Sequence, residues 1–362
     1  MTRQATDLLR TLIATPSVSR DENAAADVVE AFLRDHGVRT RRYADNIVAL
    51  PERFVPGLPV LMLNSHIDTV RPAPSYSFDP FAPFEENGRL YGLGSNDAGA
   101  SVVSLIAAFL QLRGENLPLN LLLAVSAEEE VGGENGMRLL LPSLAADGIV
   151  PDMAIVGEPT GMQPAIAERG LVVLDCVTRG ITGHAARPEG VNAIYRAIDD
   201  ISLLRGFRFG NESETLGPVR ISVTMIEAGR QHNVVPDECR WVADIRTTDA
   251  YSNEETVRIL QEAVSRHSVL TPRSTRIRAS VIDPGHPLVR AASEMGLTPF
   301  ISPTTSDMSL MHGIPSLKIG PGDSARSHSA DEFILIDEIE QAISLYPKLI
   351  RKCSNETLGQ GF

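Results

Sequence analysis

The chain has 362 residues, of which 43% are hydrophobic, and a formal net charge of −13. Because single hydrophobic cores stop growing at roughly 250 to 300 residues, this length and composition predict a globular protein of two domains. The negative charge argues against nucleic acid or an anionic membrane as a partner and leaves a small polar substrate open. Three scattered cysteines, no apolar run of membrane-spanning length and no signal-peptide pattern favour a cytoplasmic protein without disulfides or thiolate metal sites.

The first 167 residues alternate between helical and extended patterns. The spacing of apolar residues predicts helices over 5–13 and 23–36, and a buried helix over 100–112 directly after Gly99. Short apolar runs predict strands, at 46–50, 59–63, 119–125 and 153–156. Strands that alternate with helices are typical of an α/β domain, here with a mostly parallel sheet flanked by helices.

From about residue 168 the pattern changes. It predicts a strand, a helix, two strands and a second helix, over 171–177, 192–204, 219–226, 240–246 and 254–265. Because this order is close to the ferredoxin-like α+β arrangement, we expect an inserted domain over 168–281. The first domain, residues 1–167, then resumes over 282–362 with a helix, a strand and a terminal helix, at 287–295, 314–319 and 334–350. The tail from Ser354 onward is expected to fray.

Three consecutive carboxylates, Glu128, Glu129 and Glu130, follow the apolar run at 119–125. Such a run is typical of a strand buried on both faces, so the three charges fall near the core. Taken alone, they could instead open a helix and face water. Buried side by side they would cost several kcal/mol per ion unless cations or hydrogen bonds compensated. We therefore expect positive charge to be bound nearby.

Polar residues also follow the other predicted strands at their carboxyl ends, the edge where open α/β sheets bind ligands. They are His66 and Asp68 after 59–63, Glu158 after 153–156 and His328 beyond 314–319, joined by Asp97 from a glycine-rich turn. Taken one at a time, these residues could have ordinary structural roles: a core histidine for His66, a helix N-cap for Asp97, an exposed turn residue for Glu158 and a loop residue for His328. Their convergence on one sheet edge favours a metal site.

The charge of this set indicates two metal ions. Three ligating carboxylates and two neutral imidazoles supply about −3, which two divalent ions overcompensate by about +1, leaving room for one hydroxide. Nitrogen and oxygen ligands without thiolate suit zinc, with cobalt or manganese as alternatives. In extended backbone Asp68 points the same way as His66 and could accept the proton of its second ring nitrogen.

Eight short motifs resemble the M20 family of dinuclear-zinc aminoacylases and peptidases, in the branch of acetylornithine deacetylase and succinyl-diaminopimelate desuccinylase. They run in a specific order along nearly the whole chain: SHIDTV at 65–70, GSND at 94–97, AEEEVG at 127–132, VGEPT at 156–160, GHAARP at 183–188, NVVPD at 233–237, TSD at 305–307, and His328 with Asp331-Glu332. The resemblance implies that Asp97 bridges two metal ions, that His66 and Glu158 complete one site, and that Glu130 and His328 complete the other.

The resemblance also implies roles beyond the ligands. Asp68 would orient His66, and Glu129 would be the general base that takes a proton from water and returns it to the leaving amine. His184 of the inserted domain would stabilise the oxyanion; in relatives the equivalent histidine reaches the active site of the partner subunit, which implies a homodimer through that lid domain. Asn233 and Arg246 would bind substrate, Arg246 through the α-carboxylate. As bare sequence features, His184 could be a turn histidine and Arg246 a surface charge.

Two positions depart from the family pattern. Relatives commonly carry basic residues where Leu93 and Gly99 stand here, which keeps the ligand Asp97 but leaves the substrate open. We expect a metal-dependent hydrolase of an N-acyl amino acid, foremost N2-acetyl-L-ornithine in arginine biosynthesis, with an N-acylcitrulline or N-succinyl substrate as near variants. The alternatives are a succinyl-diaminopimelate desuccinylase or dipeptidase and, in another class, a catalytically inactive binding homologue.

Overall fold

A computed structural model of the protein describes residues 1–357 of the chain. Close contacts between Cα atoms divide it into two compact units. Unit 1 comprises Met1–Ile166, Ile282–Ser302 and the described residues from Ser306 onward, and unit 2 comprises Ala167–Val281 and Pro303–Thr305. Most of unit 2 is therefore one continuous stretch of chain that interrupts unit 1.

The described residues form eight α-helices. They are α1 (Thr2–Ile13), α2 (Asn23–Asp35), α3 (Ala100–Leu112), α4 (Met137–Ala146), α5 (Ala193–Gly206), α6 (Asn253–Ala263), α7 (Pro287–Glu294) and α8 (Ile336–Thr357). Helix α3 has the bounds that the sequence predicts, whereas α4 escapes prediction because Pro142 lies inside it. The expected fraying from Ser354 is wrong as far as Thr357, since α8 continues there and buries Cys353 and Ser354; residues 358–362 lie outside the described part.

Short strands complete the secondary structure. They are β1 (Thr40–Tyr43), β2 (Asn46–Ala49), β3 (Val60–His66), β4 (Phe84–Glu86), β5 (Arg89–Tyr91), β6 (Asn120–Ser126), β7 (Met153–Val156), β8 (Ala165–Glu168), β9 (Gly170–Arg179), β10 (Gly183–His184), β11 (Arg220–Ala228), β12 (Val234–Val235), β13 (Glu238–Thr247), β14 (Ser268–Pro272), β15 (Ser280–Val281), β16 (Phe300–Ser302), β17 (Ser316–Lys318) and β18 (Phe333–Leu335).

The main sheet of unit 1 has the order β1-β2-β6-β3-β7-β17-β8 and is mixed. Only its central strands β6, β3, β7 and β17 are parallel, whereas β1, β2 and β8 join them antiparallel. The expectation of a mostly parallel sheet is therefore wrong at the edges. Strands β1 and β2 are linked by only Ala44 and Asp45, a connection that antiparallel strands alone permit. The polar composition of Thr40–Tyr43 conceals β1 in the sequence.

Helices cover both faces of this sheet. Leu61 and Leu63 of β3 belong to one core with α1, α2, α3, α7 and α8, whereas Met62 and Leu122 point to the other face and belong to a smaller core with α4. This alternation follows from the two-residue period of a strand. Each fully buried Leu side chain contributes roughly 1.5 to 3 kcal/mol relative to an exposed one. Two apolar layers thus fix the position of the central strands.

The carboxyl ends of the central strands lie within two residues of one another in register. His66, the last residue of β3, is paired with Ser126, the last residue of β6. Val156 ends β7 and is paired with Lys318 at the end of β17. The residues that follow these strands therefore gather at one edge of the sheet.

A small second sheet has the order β18-β5-β4, and its strands are neighbours in the chain of two segments of the predicted site. Strand β5 leads directly into the turn at 92–97, and β18 directly follows Glu332. Their pairing joins Tyr91 to Phe333, and the ring of Tyr91 also stacks on Phe84 with the centroids 4.8 Å apart. The pairing brings the turn at 92–97 close to the loop that ends at Glu332.

Unit 2 has the element order β9-α5-β11-β13-α6-β14 around an antiparallel sheet in the order β11-β13-β9-β14. This is the ferredoxin-like arrangement, with the fourth strand β14 added to the elements that the sequence predicts. Trp241 and alternate residues of β9 and β13 form a core with residues of α5 and α6. A two-stranded ribbon of β10 and β12 lies apart from this sheet, and β15 pairs with the last two residues of β8. Among the described residues, none of the helices combines the length and apolar character that a membrane crossing requires.

Candidate metal centre

His66 lies at the centre of a group of carboxylates in unit 1. Only 1% of His66 is exposed, and its Nε2 lies 3.3 Å from Asp97 Oδ1, 3.7 Å from Glu158 Oε1 and 4.0 Å from Glu129 Oε2. Glu158, at 7% exposure, is not the exposed turn residue that its sequence context could indicate. Several acidic oxygens thus face one imidazole nitrogen at the carboxyl end of β3.

Asp97 connects this group to a second one. Its Oδ1 faces His66, whereas its Oδ2 lies 3.6 Å from Nε2 of His328, which is itself 3.0 Å from the carboxylate of Glu130. One ligand atom each from His66, Asp97 and Glu130 lies within 4.8 Å of the others. Asp97 does not cap α3, whose N-cap is Gly99 without a side-chain hydrogen bond. A carboxylate whose two oxygens face different histidines can bridge two cations.

Asp68 holds both His66 and the turn that carries Glu129 and Glu130. Its carboxylate is 3.4 Å from Nδ1 of His66 and accepts hydrogen bonds from the backbone N–H groups of Glu129 (3.0 Å) and Glu130 (3.1 Å). Ser19 donates to it as well, at 2.7 Å. The Nδ1 atom of His66 also lies 2.9 Å from the backbone carbonyl of Asp68. This places an acceptor behind the imidazole, the arrangement that orients histidine ligands.

The three consecutive glutamates have different surroundings. Glu129 and Glu130 form a short 3₁₀ turn, and their side chains face the histidines. Glu128 is buried with a φ of 53°, and its carboxylate accepts hydrogen bonds from the backbone and side-chain N–H groups of Asn135. Its own backbone N–H donates to Glu22. Glu128 is therefore a structural residue that fixes the loop beyond the turn.

The electrostatics of the site fit a bound cation. Burial, followed by the charges of Asp97 and Glu130, raises the pKa of Glu158 to about 8, although His66 and Lys318 oppose the rise. Burial alone would lower the pKa of His66, but hydrogen bonds to Asp68 and Asp97 and the charges of Glu129 and Glu158 raise it well above its usual range. These groups hold protons because too much negative charge is buried together, and divalent ions would replace those protons.

Glu129 is the carboxylate best placed to carry a proton. Burial raises its pKa well above the usual range, and the nearby carboxylates of Glu158, Asp307 and Glu130 add to the rise, while His66 opposes it. Asp307 itself is buried beneath the site, where Ser126 Oγ donates to it at 2.6 Å. The sequence motif at 305–307 carries no signal for this contact, because Ser126 is distant in the chain.

The turn before α3 contains Leu93, one of the two positions that depart from the family pattern, and the other, Gly99, directly precedes the helix. Leu93 is buried at 4% exposure and helps to line a small cavity of about 20 Å³ beside Asp97. A Cβ atom at Gly99 would lie 2.5 Å from the backbone carbonyl of Gly94 and 2.6 Å from Leu9. This backbone therefore has no room for a side chain at position 99.

In unit 2, the ribbon of β10 and β12 brings His184 and Asn233 together. His184 is paired with Val234, and the backbone carbonyl of Asn233 accepts a hydrogen bond from Ala185 at 3.0 Å. Both His184 and Asn233 are exposed. A Cβ atom at Gly183 would lie 2.5 Å from the carbonyl of Glu189, so glycine is required for this close approach.

Arg246 lies on β13, away from the ribbon, and is engaged by a carboxylate of its own strand. Its Nε and a terminal nitrogen donate to the two oxygens of Asp244, at 2.8 and 3.2 Å. Arg220 lies directly opposite Arg246, on β11. Burial lowers the pKa of Arg169, and the charge of Arg220 lowers it further. Like charges opposite one another in a sheet are unfavourable. The family resemblance implies a role for Arg246 but not for Arg220, which the register of β11 with β13 places opposite it.

These features define an α/β protein with a carboxylate and histidine site that can hold divalent metal. A model of peptidase family M20/M25/M40 matches residues 62–352, and the chain belongs to that family. It is a hydrolase of amide bonds, and residues of its own site can bind metal.

Curated relatives match over nearly the whole chain. The succinyl-diaminopimelate desuccinylase of Parvibaculum lavamentivorans is 29% identical, with 95% of this chain and 94% of the relative covered. The enzyme of the same name from Acidiphilium cryptum is 27% identical, with 96% of each covered. Their name corresponds to the alternative that the sequence motifs leave open, and these relatives favour it over acetylornithine deacetylase.

Solved structures share the fold. Aminopeptidase PepT of Bacillus cereus superposes with a TM-score of 0.79 at 20% identity, covering 98% of this chain and 99% of PepT. The YXEP protein of Bacillus subtilis, described as a dinuclear metal-binding peptidase of the M20 family, gives a TM-score of 0.72 at 17% identity, with 99% and 98% covered. At such identities the likeness extends to the fold and no further.

Proposed function

We propose that the protein hydrolyses the amide bond of an N-succinyl amino acid, with N-succinyl-diaminopimelate as the foremost candidate. The names of its relatives support this substrate class. The pairing of Arg220 with Arg246 across β11 and β13 supports it as well, because two guanidinium groups on one part of unit 2 suit a substrate with more than one carboxylate. Guanidinium pairs well with carboxylates, of which a succinyl substrate has more than an acetyl one.

The proposed centre holds two divalent ions, with zinc foremost and cobalt or manganese as alternatives. His66 and Glu158 would hold one ion, Glu130 and His328 the other, and Asp97 would contribute to both. When bound, the ions would polarise the scissile carbonyl and acidify water. Asp97 carries the proposal, because its two oxygens face the two histidines separately.

Glu129 would perform the proton transfers. Its carboxylate would take a proton from the attacking water as the new C–O bond forms, and would give that proton to the amide nitrogen as the C–N bond breaks. Asp68 supports this role because it fixes the backbone N–H of Glu129 through a hydrogen bond. Succinate and the free amino acid would be the products, with no net gain or loss of protons by the side chain.

Three residues of unit 2 would act on the substrate. His184 would donate a hydrogen bond to the developing oxyanion, Asn233 would contact the substrate, and Arg246 would pair with a carboxylate. The pairing of β10 with β12 supports a shared role for His184 and Asn233.

A substrate panel with defined metal content tests the function. Metal-free protein would be titrated with Zn²⁺ and assayed on N-succinyl-diaminopimelate, N-succinyl-ornithine, N2-acetyl-ornithine and N-acetylcitrulline, ranked by kcat/KM. We expect activity to rise with metal and the succinyl compounds to rank first. A higher rank for N2-acetyl-ornithine would favour the deacetylase assignment, and no hydrolysis of any amide by fully loaded protein would support an inactive homologue.

We also propose a homodimer through unit 2. Strand β11 is an edge of the sheet, and its Met225 and Ile226 are 63% and 55% exposed. Exposed apolar edge strands are normally covered. Sedimentation analysis should give a dimer for the native chain and a monomer for Met225→Lys combined with Ile226→Lys. A monomeric native protein would contradict the proposal.

A further inference from the structure

Glu332 makes an unusual number of contacts with the backbone of one turn. Its Oε1 accepts hydrogen bonds from the N–H groups of Asn96 (2.8 Å) and Asp97 (2.9 Å), and its Oε2 accepts one from Gly94 (3.0 Å). Its own backbone carbonyl accepts a fourth, from Gly92 at 3.0 Å. Only 2% of Glu332 is exposed. Both carboxylate oxygens are therefore occupied by the turn that presents Asp97.

Glu332 and His328 lie in the same loop. His328 lies four residues earlier in the same loop and has a φ of 56°, which is rare for residues other than glycine. Immediately after Glu332 the chain enters β18, which pairs with β5 just before the turn at 92–97. The loop of His328 and the turn of Asp97 thus leave the same pair of strands and are joined again by Glu332.

A second contact supports this turn from another segment. The side chain of Asn96 accepts a hydrogen bond from the backbone N–H of Asp323 at 3.0 Å and donates one to the carbonyl of Asp323 at 3.1 Å. Asn96 is fully buried. The contact fixes the middle of the turn, whereas Glu332 alone among these residues binds the N–H of Asp97 itself.

We propose that Glu332 is a positioning residue of the metal centre, which sets Asp97 relative to His328 by binding the backbone of the Asp97 turn. The inference rests on the proposed function, since it takes Asp97 and His328 as metal ligands. Glu332 is not one of the proposed ligands and would act through Asp97, whose backbone N–H it binds. Residues that orient metal ligands typically contribute roughly 10- to 100-fold to metal affinity.

Two substitutions separate the possible contributions of Glu332. Glu332→Gln keeps the shape and one acceptor oxygen, but its NH₂ group would face the N–H of Gly94, donor against donor. Glu332→Asp keeps the charge and retracts the carboxylate by one methylene. Both variants therefore release the turn to different degrees without opening a large cavity.

Asp331 offers a matched control in the same loop. Its carboxylate also accepts two hydrogen bonds, from the backbone N–H and the hydroxyl of Ser77, both at 2.8 Å. Asp331→Asn, like Glu332→Gln, removes one negatively charged side chain from this loop. It loosens the contact with Ser77 and leaves the Asp97 turn bound. Any effect of charge alone on the centre should appear in both variants.

The experiment measures Zn²⁺ affinity by competition with a chromophoric chelator, alongside far-UV circular dichroism of the metal-free proteins. We expect Glu332→Gln to bind Zn²⁺ roughly 10- to 100-fold more weakly than the native protein with unchanged secondary structure. Asp331→Asn should stay within about twofold of native, because it leaves the ligand turn intact. Activity of Glu332→Gln should recover at excess Zn²⁺, since mass action refills a weakened site.

The outcomes distinguish this inference from the function on which it rests. Native affinity in Glu332→Gln, or an equal loss in Asp331→Asn, would overturn the positioning role while leaving the metal centre intact. If Glu332→Gln does not fold, Glu332→Asp decides by the same comparison. A native protein that binds no Zn²⁺, or an Asp97→Asn variant that binds it like native, would instead refute the proposed metal centre.

Discussion

The candidate residues of unit 1 and unit 2 are held in different ways. In unit 1, buried carboxylates bind the backbone that presents the ligands: Asp68 holds Glu129 and Glu130, and Glu332 holds Asp97. In unit 2, His184 and Asn233 are exposed on a ribbon of two residue pairs. The contrast is not complete, since Asp244 holds Arg246 in unit 2 and the side chain of His328 in unit 1 is half exposed.

Under the proposed function, this difference indicates which part of the reaction each unit would control. A metal centre requires ligands fixed within fractions of an ångström, and the surrounding hydrogen bonds of unit 1 supply that constraint. Exposed residues with few contacts can adapt to substrates of different size. We infer that the metal chemistry is set by unit 1 and that substrate choice depends on unit 2.

The largest expected effect is at Glu129. Glu129→Gln keeps the size of the side chain but cannot accept a proton, so kcat should fall roughly 10²- to 10⁴-fold. Metal content, measured by atomic absorption on the same samples, should stay native because Glu129 is not a proposed ligand. Unchanged kcat would remove Glu129 from the proton transfer, and lost metal would make it a ligand.

A smaller effect is expected at Arg246. Arg246→Ala should raise KM for the succinyl substrate about 10- to 100-fold. This change corresponds to the free energy that a hydrogen bond to a charged group contributes to binding. Arg240→Ala is the control, since Arg240 lies on the same strand and pairs with Glu238. Steady-state kinetics of both variants would sharpen the comparison of the two units. Equal changes in KM would show that the general charge of unit 2 matters rather than Arg246.

The smallest expected effect is on the pH dependence of stability without metal. The pKa values of Glu158 (about 8) and His328 (about 9) lie above their ordinary values of 4.5 and 6.5, so the folded state binds more protons than the unfolded one between those values. Their contribution to stability is present at low pH and is lost as pH rises through the folded pKa. The melting temperature of metal-free protein should therefore fall between about pH 6 and pH 9.

Two controls accompany this measurement. Zinc-loaded protein should show a flatter profile, because metal replaces the protons, and metal-free Glu158→Gln should lose part of the slope. A metal-free protein that gains stability over this pH range would contradict the assignment of the buried carboxylates. It would also weaken the contrast between a constrained unit 1 and an adaptable unit 2.

The sequence predicts the central strands and the residues that follow them because apolar runs and polar ends are local signals. His66 is the last residue of β3 and Glu158 lies two residues beyond β7, both within three residues of the strand ends that the apolar runs predict. The hydrogen bond that Asp68 accepts from the backbone of Glu129 has no local signal in the sequence, since it depends on the parallel register of His66 with Ser126.

Other features escape for the same physical reason. Glu332 and Asp97 are separated by more than two hundred residues, and the pairing of β5 with β18 helps to bring them together. The motif at 331–332 marks a position without indicating its contact. Polar or very short strands such as β1 and β10 carry too few apolar residues for a period to be recognised.

The close packing at Gly99 has a consequence for protein engineering. Any side chain at this position would meet the carbonyl of Gly94 and the side chain of Leu9. A single substitution therefore cannot introduce a basic residue here, because the backbone of the turn and helix α1 would have to shift with it. A redesigned site with a basic residue at position 99 would need compensating changes at Leu9 and in the turn at Gly94.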